Sequence, residues 1–584
     1  MDFPLLSAIC YVPAIGALLI FFLPGIGGTG ARGVAMASTL ITFVLSVILV
    51  LQFDKNAEFQ FEERFDWLSG IGSSYHMGVD GLAVLLIALT TTLSAIAMGW
   101  SWGTVTTKMR EYYIAILLLQ TGMLGVFMAL DLFIFYIFWE LMLIPMALLI
   151  GVWGSKNRVY AATKFFIYTL AASLLMLIGI VATYQAYADK TGVRTLDILT
   201  LQTGWAQGAY GNVFQGVVFG AFLIAFAVKV PMFPFHTWLP DAHVEAPTAA
   251  SVILAAVMLK MGAYGLLRFN LPLFPEGSED WALPLIILSI VAIIYGALVA
   301  LVQPDMKKLI AYSSVSHMGF VTLGIFVNVL AVTADNINGM NGSMMVMLAH
   351  GFNTGGLFLC VGVIYERAHT RLIAAFGGLA SRMPVYSVLF GVFMFASIGL
   401  PGMSGFVGEF LVALAVWEYQ PWLAFFTFVV VIFAAWYMMW MFQRVVFGRS
   451  PGELPDPHDG QLTADERDML AHNGGGHGHG GHGSVGGHGV VPMPVSGASQ
   501  AQDSAVDDAA TAKGHAIAAG ADDTDHHGAS HGDDAHAVAY PDVTRGELAT
   551  LLPLAFLTIF FGVYPKPIFE IVQPTFERIL APFL

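Results

Sequence analysis

The chain is predicted to be an all-α polytopic membrane protein, and three observations carry that prediction. Of its 584 residues, 57% are hydrophobic and only 11% charged, against roughly 25% charged in a soluble domain. Apolar runs of about 18 residues or more, each able to cross a bilayer, recur about fourteen times. Basic residues concentrate in alternate loops, as a fixed membrane orientation requires. A soluble enzyme is excluded.

In chain order the runs fall near 4–24, 31–52, 79–101, 112–130, 132–153, 161–187, 211–230, 246–270, 282–302, 305–331, 342–366, 384–418, 422–447 and 547–565. Before the first stand only Met1, Asp2 and Phe3, without the positive charge of a cleaved signal peptide, so this run is expected to stay in place. Cys10 and Cys360 lie singly in apolar runs, so this chain alone builds no iron–sulfur or zinc–thiolate site. The net charge of −15 falls largely in 451–546 and says little about the membrane part. One alternate set of loops carries most Lys and Arg, among them Arg32, Lys108, Arg110, Lys156, Arg158, Lys307, Lys308 and Arg371. The other set carries fewer, including Lys55, Arg64, Arg268 and Arg578. The richer set is expected on the cytoplasmic side, which puts both termini on the periplasmic side.

Two helices are predicted to break in mid-span. The seventh ends at Lys229-Val230-Pro231 and continues through Pro234 and Pro240; the twelfth carries Gly399-Leu400-Pro401-Gly402, then Gly405 and Gly408. Proline removes a backbone donor and glycine loosens the helix, so polar backbone is freed at membrane depth. A pair of breaks in corresponding halves points to a transporter site. Because the breaks lie five spans apart, we expect two inverted five-helix repeats. The organisation is then 1–111 for helices 1–3, 112–271 for the first repeat, 272–450 for the second, and 547–584 for the last helix and tail. Between them lies 451–546, rich in Gly, His and Asp, which is expected to be a disordered cytoplasmic-side insert because it has too little apolar surface to order. Eleven of the 17 histidines stand there. His477, His479 and His482 are weak metal candidates, beside the plainer reading of a solvated loop.

Four charges interrupt apolar runs: Glu140, Lys229, Lys260 and Glu409. Each costs roughly 2.5–3.5 kcal/mol at the centre of a span, so each needs a reason. Two carboxylates and two amines suggest a path for protons. Glu140 and Lys229 are the candidate pair whose separation switches their protonation. Lysine releases a proton more readily than arginine when desolvated. The bland alternatives are a neutral buried acid at Glu140, a snorkelling Lys229 and a helix-capping Glu409. Snorkelling explains Lys260 less well, because it lies well inside its run. His317, with Ser313 at i−4, and His350, with Asn353 and Thr354, extend the polar line toward Glu409; interhelical hydrogen-bond glue is the rival reading. His236 and His243 lie at the mouth of the first break, where a loop role is equally open.

Together the strings FWELMLIPMALLIGVWG (138–154), KVPMFPFHTWLPDAHVEAPTAASVILAAVMLKMGAYGLLRF (229–269), KKLIAYSSVSHMGFV (307–321) and LPGMSGFVGEF (400–410) resemble the antiporter-like subunits of respiratory complex I, the proton-pumping NADH–quinone oxidoreductase, and of the multisubunit Na⁺/H⁺ antiporters. The glutamate at 409 marks one group in that family, since sister subunits generally carry lysine at the matching break. The insert departs from the family pattern. The resemblance implies Glu140 and Lys229 as the input pair, Lys260 as the central lysine, Glu409 as the exit carboxylate, and the prolines Pro231 and Pro401 at the breaks. It also implies that NADH, FMN, iron–sulfur clusters and quinone belong to partner subunits, with no redox centre, cofactor or catalytic residue in this chain. The implied partners are other membrane-arm subunits, including two sister antiporter-like subunits, and the bilayer, with no nucleic acid. A bacterial inner membrane is the implied location. A Na⁺/H⁺ antiporter subunit is the alternative function, and a purely architectural arm is the rival from a different class.

Overall fold

The computed structural model describes residues 3–23, 25, 27–56, 58–331, 336–448 and 540–584. The membrane unit comprises Met1–Glu453 with Ala539–Leu584; the second unit, Leu454–Val538, lies outside the described residues. The expected disorder of the insert and its candidates His477, His479 and His482 therefore also fall outside them.

Among the described residues, thirteen helices are long and apolar enough to cross a membrane. They are α1 (Leu5–Phe22), α2 (Gly28–Gln52), α3 (Gly81–Thr104), α4 (Met109–Met128), α5 (Leu132–Trp153), α6 (Arg158–Thr191), α7 (Asn212–Lys229), α9 (Thr248–Leu273), α10 (Pro275–Leu301), α11 (Met306–Leu330), α12 (Asn338–Ala368), α15 (Pro421–Phe447) and α16 (Arg545–Val563). A fourteenth crossing comes in two halves, α13 (Pro384–Ile398) and α14 (Ser404–Tyr419). Helix α8 (Trp238–Glu245) follows the first break. The last span starts at Arg545, just inside the expected end of the insert.

Aspartates start several helices. Asp131 accepts from the amides of Phe133 (2.9 Å) and Ile134 (3.2 Å) at α5, and Asp305 from those of Lys307 (2.7 Å) and Lys308 (3.1 Å) at α11. Each satisfies amides that the first helical turn leaves without partners. At α16, Thr544 and Glu547 form a reciprocal capping box.

The helices differ in depth. The most apolar windows of α9 and α12 are 100% buried and that of α11 is 94% buried, whereas α2 and α16 reach only 28%. Lys260, His317 and His350 therefore sit on the innermost helices, where neither lipid nor bulk water solvates them.

Two elements escaped the reading of apolar runs. An antiparallel hairpin pairs β1 (Gln60–Leu68) with β2 (Ser73–Val79), with Phe65 opposite Tyr75 and Arg64 opposite His76. Its polar and aromatic alternation is a strand signal that hydropathy does not register. A terminal amphipathic helix, α17 (Lys566–Leu580), lies against the start of α3. There a Cβ on Gly81 would meet the Ile571 carbonyl oxygen at 1.9 Å, so only glycine permits the approach.

Asp80 joins the two: its oxygens hold Arg268 at 2.6 Å and Arg578 at 2.8 Å. Burial pushes this carboxyl up, but the two guanidiniums outweigh it and hold it below its ordinary range. Arg268, expected as a loop charge, is thus a buried ion-pair partner, 2% exposed. Lys307, also expected in a loop, is 4% exposed. Both corrections have one cause: charges at span ends turn inward where a partner exists.

Candidate functional site

The first break begins where α7 ends at Lys229. A cation in the last helical turn meets the negative end of the helix dipole. Lys229 is 3% exposed and its Nζ lies 5.0 Å from the centre of the Trp139 ring. The freed Val228 carbonyl accepts the Trp238 indole N–H at 2.9 Å, so α8 closes the backbone that the break opens. Glu140, one residue after Trp139, accepts a hydrogen bond from the Ser173 hydroxyl on α6. Among the described residues no ion pair within 4.0 Å joins Glu140 and Lys229. The expected input pair stands separated, with an aromatic face under the amine and a hydroxyl on the acid. Lys229 does not snorkel, and Glu140 does bond a neighbouring helix.

Lys260 is fully buried on α9 and donates to the Ala255 carbonyl at 2.6 Å. Two π-helical turns flank it, Leu254–Met258 and Leu266–Asn270. A π-turn disturbs the regular backbone ladder and often marks a functional site. Here one turn offers a carbonyl five residues back to the buried amine. Lys260 Nζ also lies 2.6 Å from His350 Nδ1 on α12.

From His350 the polar line continues. Its ring centre is 5.8 Å from that of His317. His317 Nδ1 lies 2.9 Å from Glu409 Oε1 and its Nε2 lies 3.2 Å from the Ser397 hydroxyl. A cavity of about 10 Å³ is lined by His317, His350, Asn353, Thr354, Ser397 and Glu409, roughly the room one water requires. His350 Nε2 is buried without a protein partner, which suits such a water. Lys260, His350, His317 and Glu409 therefore lie within one chain of contacts.

The second break is made by glycine. α13 ends at Ile398, Gly399 takes φ +82° and Gly402 takes φ +91°, and α14 begins at Ser404. Both angles fall in the left-handed region that favours glycine. Glu409 lies beyond the first turn of α14 and bonds His317 instead of helix amides, so the capping alternative is excluded. Asn353 supplies glue: its Oδ1 accepts from Thr558 (2.8 Å) and Ser404 (3.4 Å), tying α12 to α16 and α14. Pro231 and Pro401 lie within the two breaks.

His236 and His243 are both buried near the first break. His236 packs edge-on against Tyr295, with ring centres 5.0 Å apart, and His243 stacks on Phe358 at 4.8 Å. Neither is a solvated loop residue, and among the described residues neither forms a hydrogen bond or ion pair with Lys229 or Glu140. The reading by residue type missed Lys164, which bridges Asp241 on α8 at 2.6 Å, and Lys307. Asp241, four residues before Glu245 on the same short helix, was the available signal for the first.

Residues 129–434 match the family described as NADH:quinone oxidoreductase/Mrp antiporter, TM. The NADH-quinone oxidoreductase subunit M of Rhodobacter capsulatus is 50% identical over 460 residues, covering 76% of this chain and 86% of that protein. The chain belongs to this membrane family of NADH:quinone oxidoreductases and Mrp antiporters. Another family relative, the NADH-ubiquinone oxidoreductase chain 4 of Chondrus crispus, is 44% identical over 438 residues, covering 75% of this chain and 86% of that one. Respiratory complex I from Thermus thermophilus with bound NADH contains a chain with TM-score 0.75 and 26% identity over 99% of both chains. The Mrp complex from Dietzia sp. shares the fold at TM-score 0.74 and 20% identity. The family match spans both breaks and every charge and histidine of the expected path.

Proposed function

We propose that this chain is the membrane-arm subunit of a redox-driven proton pump of the NADH:quinone oxidoreductase type, in which it carries no redox centre. The observation that carries the mechanism is the contact chain Lys260–His350–His317–Glu409 through the innermost helices. Names of the most similar relatives support the assignment to that enzyme, whereas the Mrp likeness supports the fold alone. NADH, flavin, iron–sulfur clusters and quinone belong to partner subunits. The partners we infer include two sister antiporter-like chains, in a bacterial inner membrane with both termini periplasmic and the basic loops cytoplasmic. The two breaks, at the seventh and twelfth spans, favour two inverted repeats over 112–271 and 272–450.

In this reading a signal from a neighbouring subunit changes the Glu140–Lys229 separation and so the proton affinity of Lys229. Its proton passes to Lys260, then by His350 and His317 to Glu409, and out. Against 100 mV each charge moved costs about 2.3 kcal/mol, somewhat under two pKa units of swing. An ion pair that opens and closes supplies a swing of that size.

The test is Lys229→Ala and Glu409→Gln in the assembled complex. Loss of proton pumping at normal assembly is expected; unchanged pumping removes that residue from the path. A stable-partner list from mass spectrometry with flavin- and cluster-containing proteins in it separates this reading from the antiporter alternative.

A further inference from the structure

On the side that carries the basic loops, the bundle holds a polar space that the path above does not use. A cavity of about 330 Å³ is lined by residues including Arg158, Glu245, Thr248, Lys307, Glu366 and Arg371. Arg158 is exposed at its mouth, whereas Lys307 is buried. The lysine is fixed at both ends. Its backbone N–H donates to Asp305, which pairs with Arg371 at 3.3 Å, and its Nζ donates to the Ala246 carbonyl at 2.6 Å. Arg371, Asp305 and Glu245 are the charged groups that act on it.

Ala246 closes the short helix that carries His243. His243 is fully buried, and neither ring nitrogen has a protein partner. Its ring lies nearly parallel to Phe358, at an interplanar angle of 12°. Two buried nitrogens without protein partners are costly unless water satisfies them, so the site favours bound water. His243 lies within electrostatic reach of both Lys307 and Lys260. Lys307, His243 and Lys260 thus form a sequence from the cavity to the centre of the bundle.

We propose that Lys307 and His243 form a water-mediated proton access route from this cavity to Lys260, joining the path at its middle and not at the first helix break. The proposal rests on the proton-path reading above. In each passage the Lys307 ammonium gives a proton through water to an unprotonated His243 nitrogen. The imidazolium gives one to the neutral Lys260 amine, and cavity water restores Lys307. Only O–H and N–H bonds form and break, and every group returns to its starting state.

The experiment compares Lys307→Met, Lys307→Arg, His243→Phe and Glu409→Gln in the assembled complex in vesicles. Pumping is measured while pH is varied on the cavity side. Phenylalanine keeps the stack on Phe358 and removes only the ring nitrogens, so it tests the route even if Lys307→Met does not assemble. His243→Phe and Lys307→Met should each slow pumping about tenfold, less than the loss of a sole proton-transfer group, because the first break is a parallel route. The loss should steepen as pH rises on the cavity side. Lys307→Arg should not restore pumping, because a guanidinium does not release its proton, whereas arginine would serve a purely structural cation. Wild-type pumping in His243→Phe and Lys307→Met, or full rescue by Lys307→Arg, overturns the proposal. If Glu409→Gln fails while those variants pump normally, only this route falls; if Glu409→Gln also pumps normally, the path itself falls.

Discussion

At the first break the chain leaves α7 through proline, with a cation on the last helical residue and an acid one helix away. At the second it leaves α13 through glycine, with the acid beyond the break and a histidine in contact. Lys229 rests over Trp139 at 5.0 Å, separate from Glu140, whereas Glu409 and His317 are 2.9 Å apart. Proline removes a donor, leaving carbonyls that suit a positive charge. Glycine instead permits a left-handed turn that brings the next helix back at a new angle. The first break therefore holds two ionisable groups apart, and the second holds two together. In the proposed mechanism that difference suits the first break to switching and the second to relay.

The largest test severs the relay. His317→Phe keeps ring volume but removes both bonds, to Glu409 and Ser397, and should lower pumping about a hundredfold, as for loss of a positioned proton-transfer group. Vesicle pumping at normal assembly checks it; a loss below about threefold would make the two ends equivalent. A smaller effect is expected at the input end. Trp139→Leu removes the ring beneath Lys229, a contact worth roughly 0.5–2 kcal/mol, and should change pumping by up to about tenfold while leaving assembly intact.

Backbone strain separates the breaks next. Gly399→Ala places a Cβ 3.0 Å from Glu409 Oε2 at φ +82°, and the left-handed geometry costs roughly 1–2 kcal/mol. Gly402→Ala has the same strain and meets nothing within 4 Å. Thermal stability should fall in both, and pumping should fall further in Gly399→Ala. Equal pumping in the two would show that the turn does not position Glu409.

The smallest effect is expected at a second histidine–carboxylate pair outside the membrane. His76 on β2 lies 2.7 Å from Asp197 and 3.1 Å from Glu62. Burial pushes this imidazole down, but hydrogen bonds to the two carboxylates outweigh it and hold it above its ordinary value. Burial likewise pushes Asp197 up, yet His76 and Thr200 hold it low. The histidine's contribution is therefore fully present below its unfolded pKa of about 6.5 and is lost as pH rises through the higher folded value. That of Asp197 is present above about 3.9 and is lost as pH falls through its lower folded value. His76→Gln should loosen the hairpin by about 1 kcal/mol near pH 6 and by less near pH 9. Amide hydrogen exchange of 60–79 checks both arms.

Sequence and structure agree where a single residue type dictates the outcome. The apolar runs define the spans, and the Pro231 and Gly399–Gly402 signals mark both breaks, because backbone chemistry is local. Glu140, Lys229, Lys260 and Glu409 stand out because a lone charge in an apolar run has few uses. What escaped depends on tertiary partners. Lys307 and Arg268 look like loop charges until Ala246 and Asp80 are placed beside them. The π-turns around Lys260 have no signal of their own, and the strands of the hairpin alternate too briefly and too polarly for a search tuned to hydropathy. Contact between His317 and Glu409 joins residues 92 positions apart, beyond any periodicity within one helix.

The central claim is that protons cross through the middle of the bundle by way of the buried amine on α9. Lys260→Met in the assembled complex tests it most directly, with NADH-driven acidification of vesicles as the measurement. Pumping should be lost while the complex assembles and its NADH-oxidising arm still reduces an artificial acceptor at the normal rate. Acidification at the wild-type rate with that methionine in place would contradict the account.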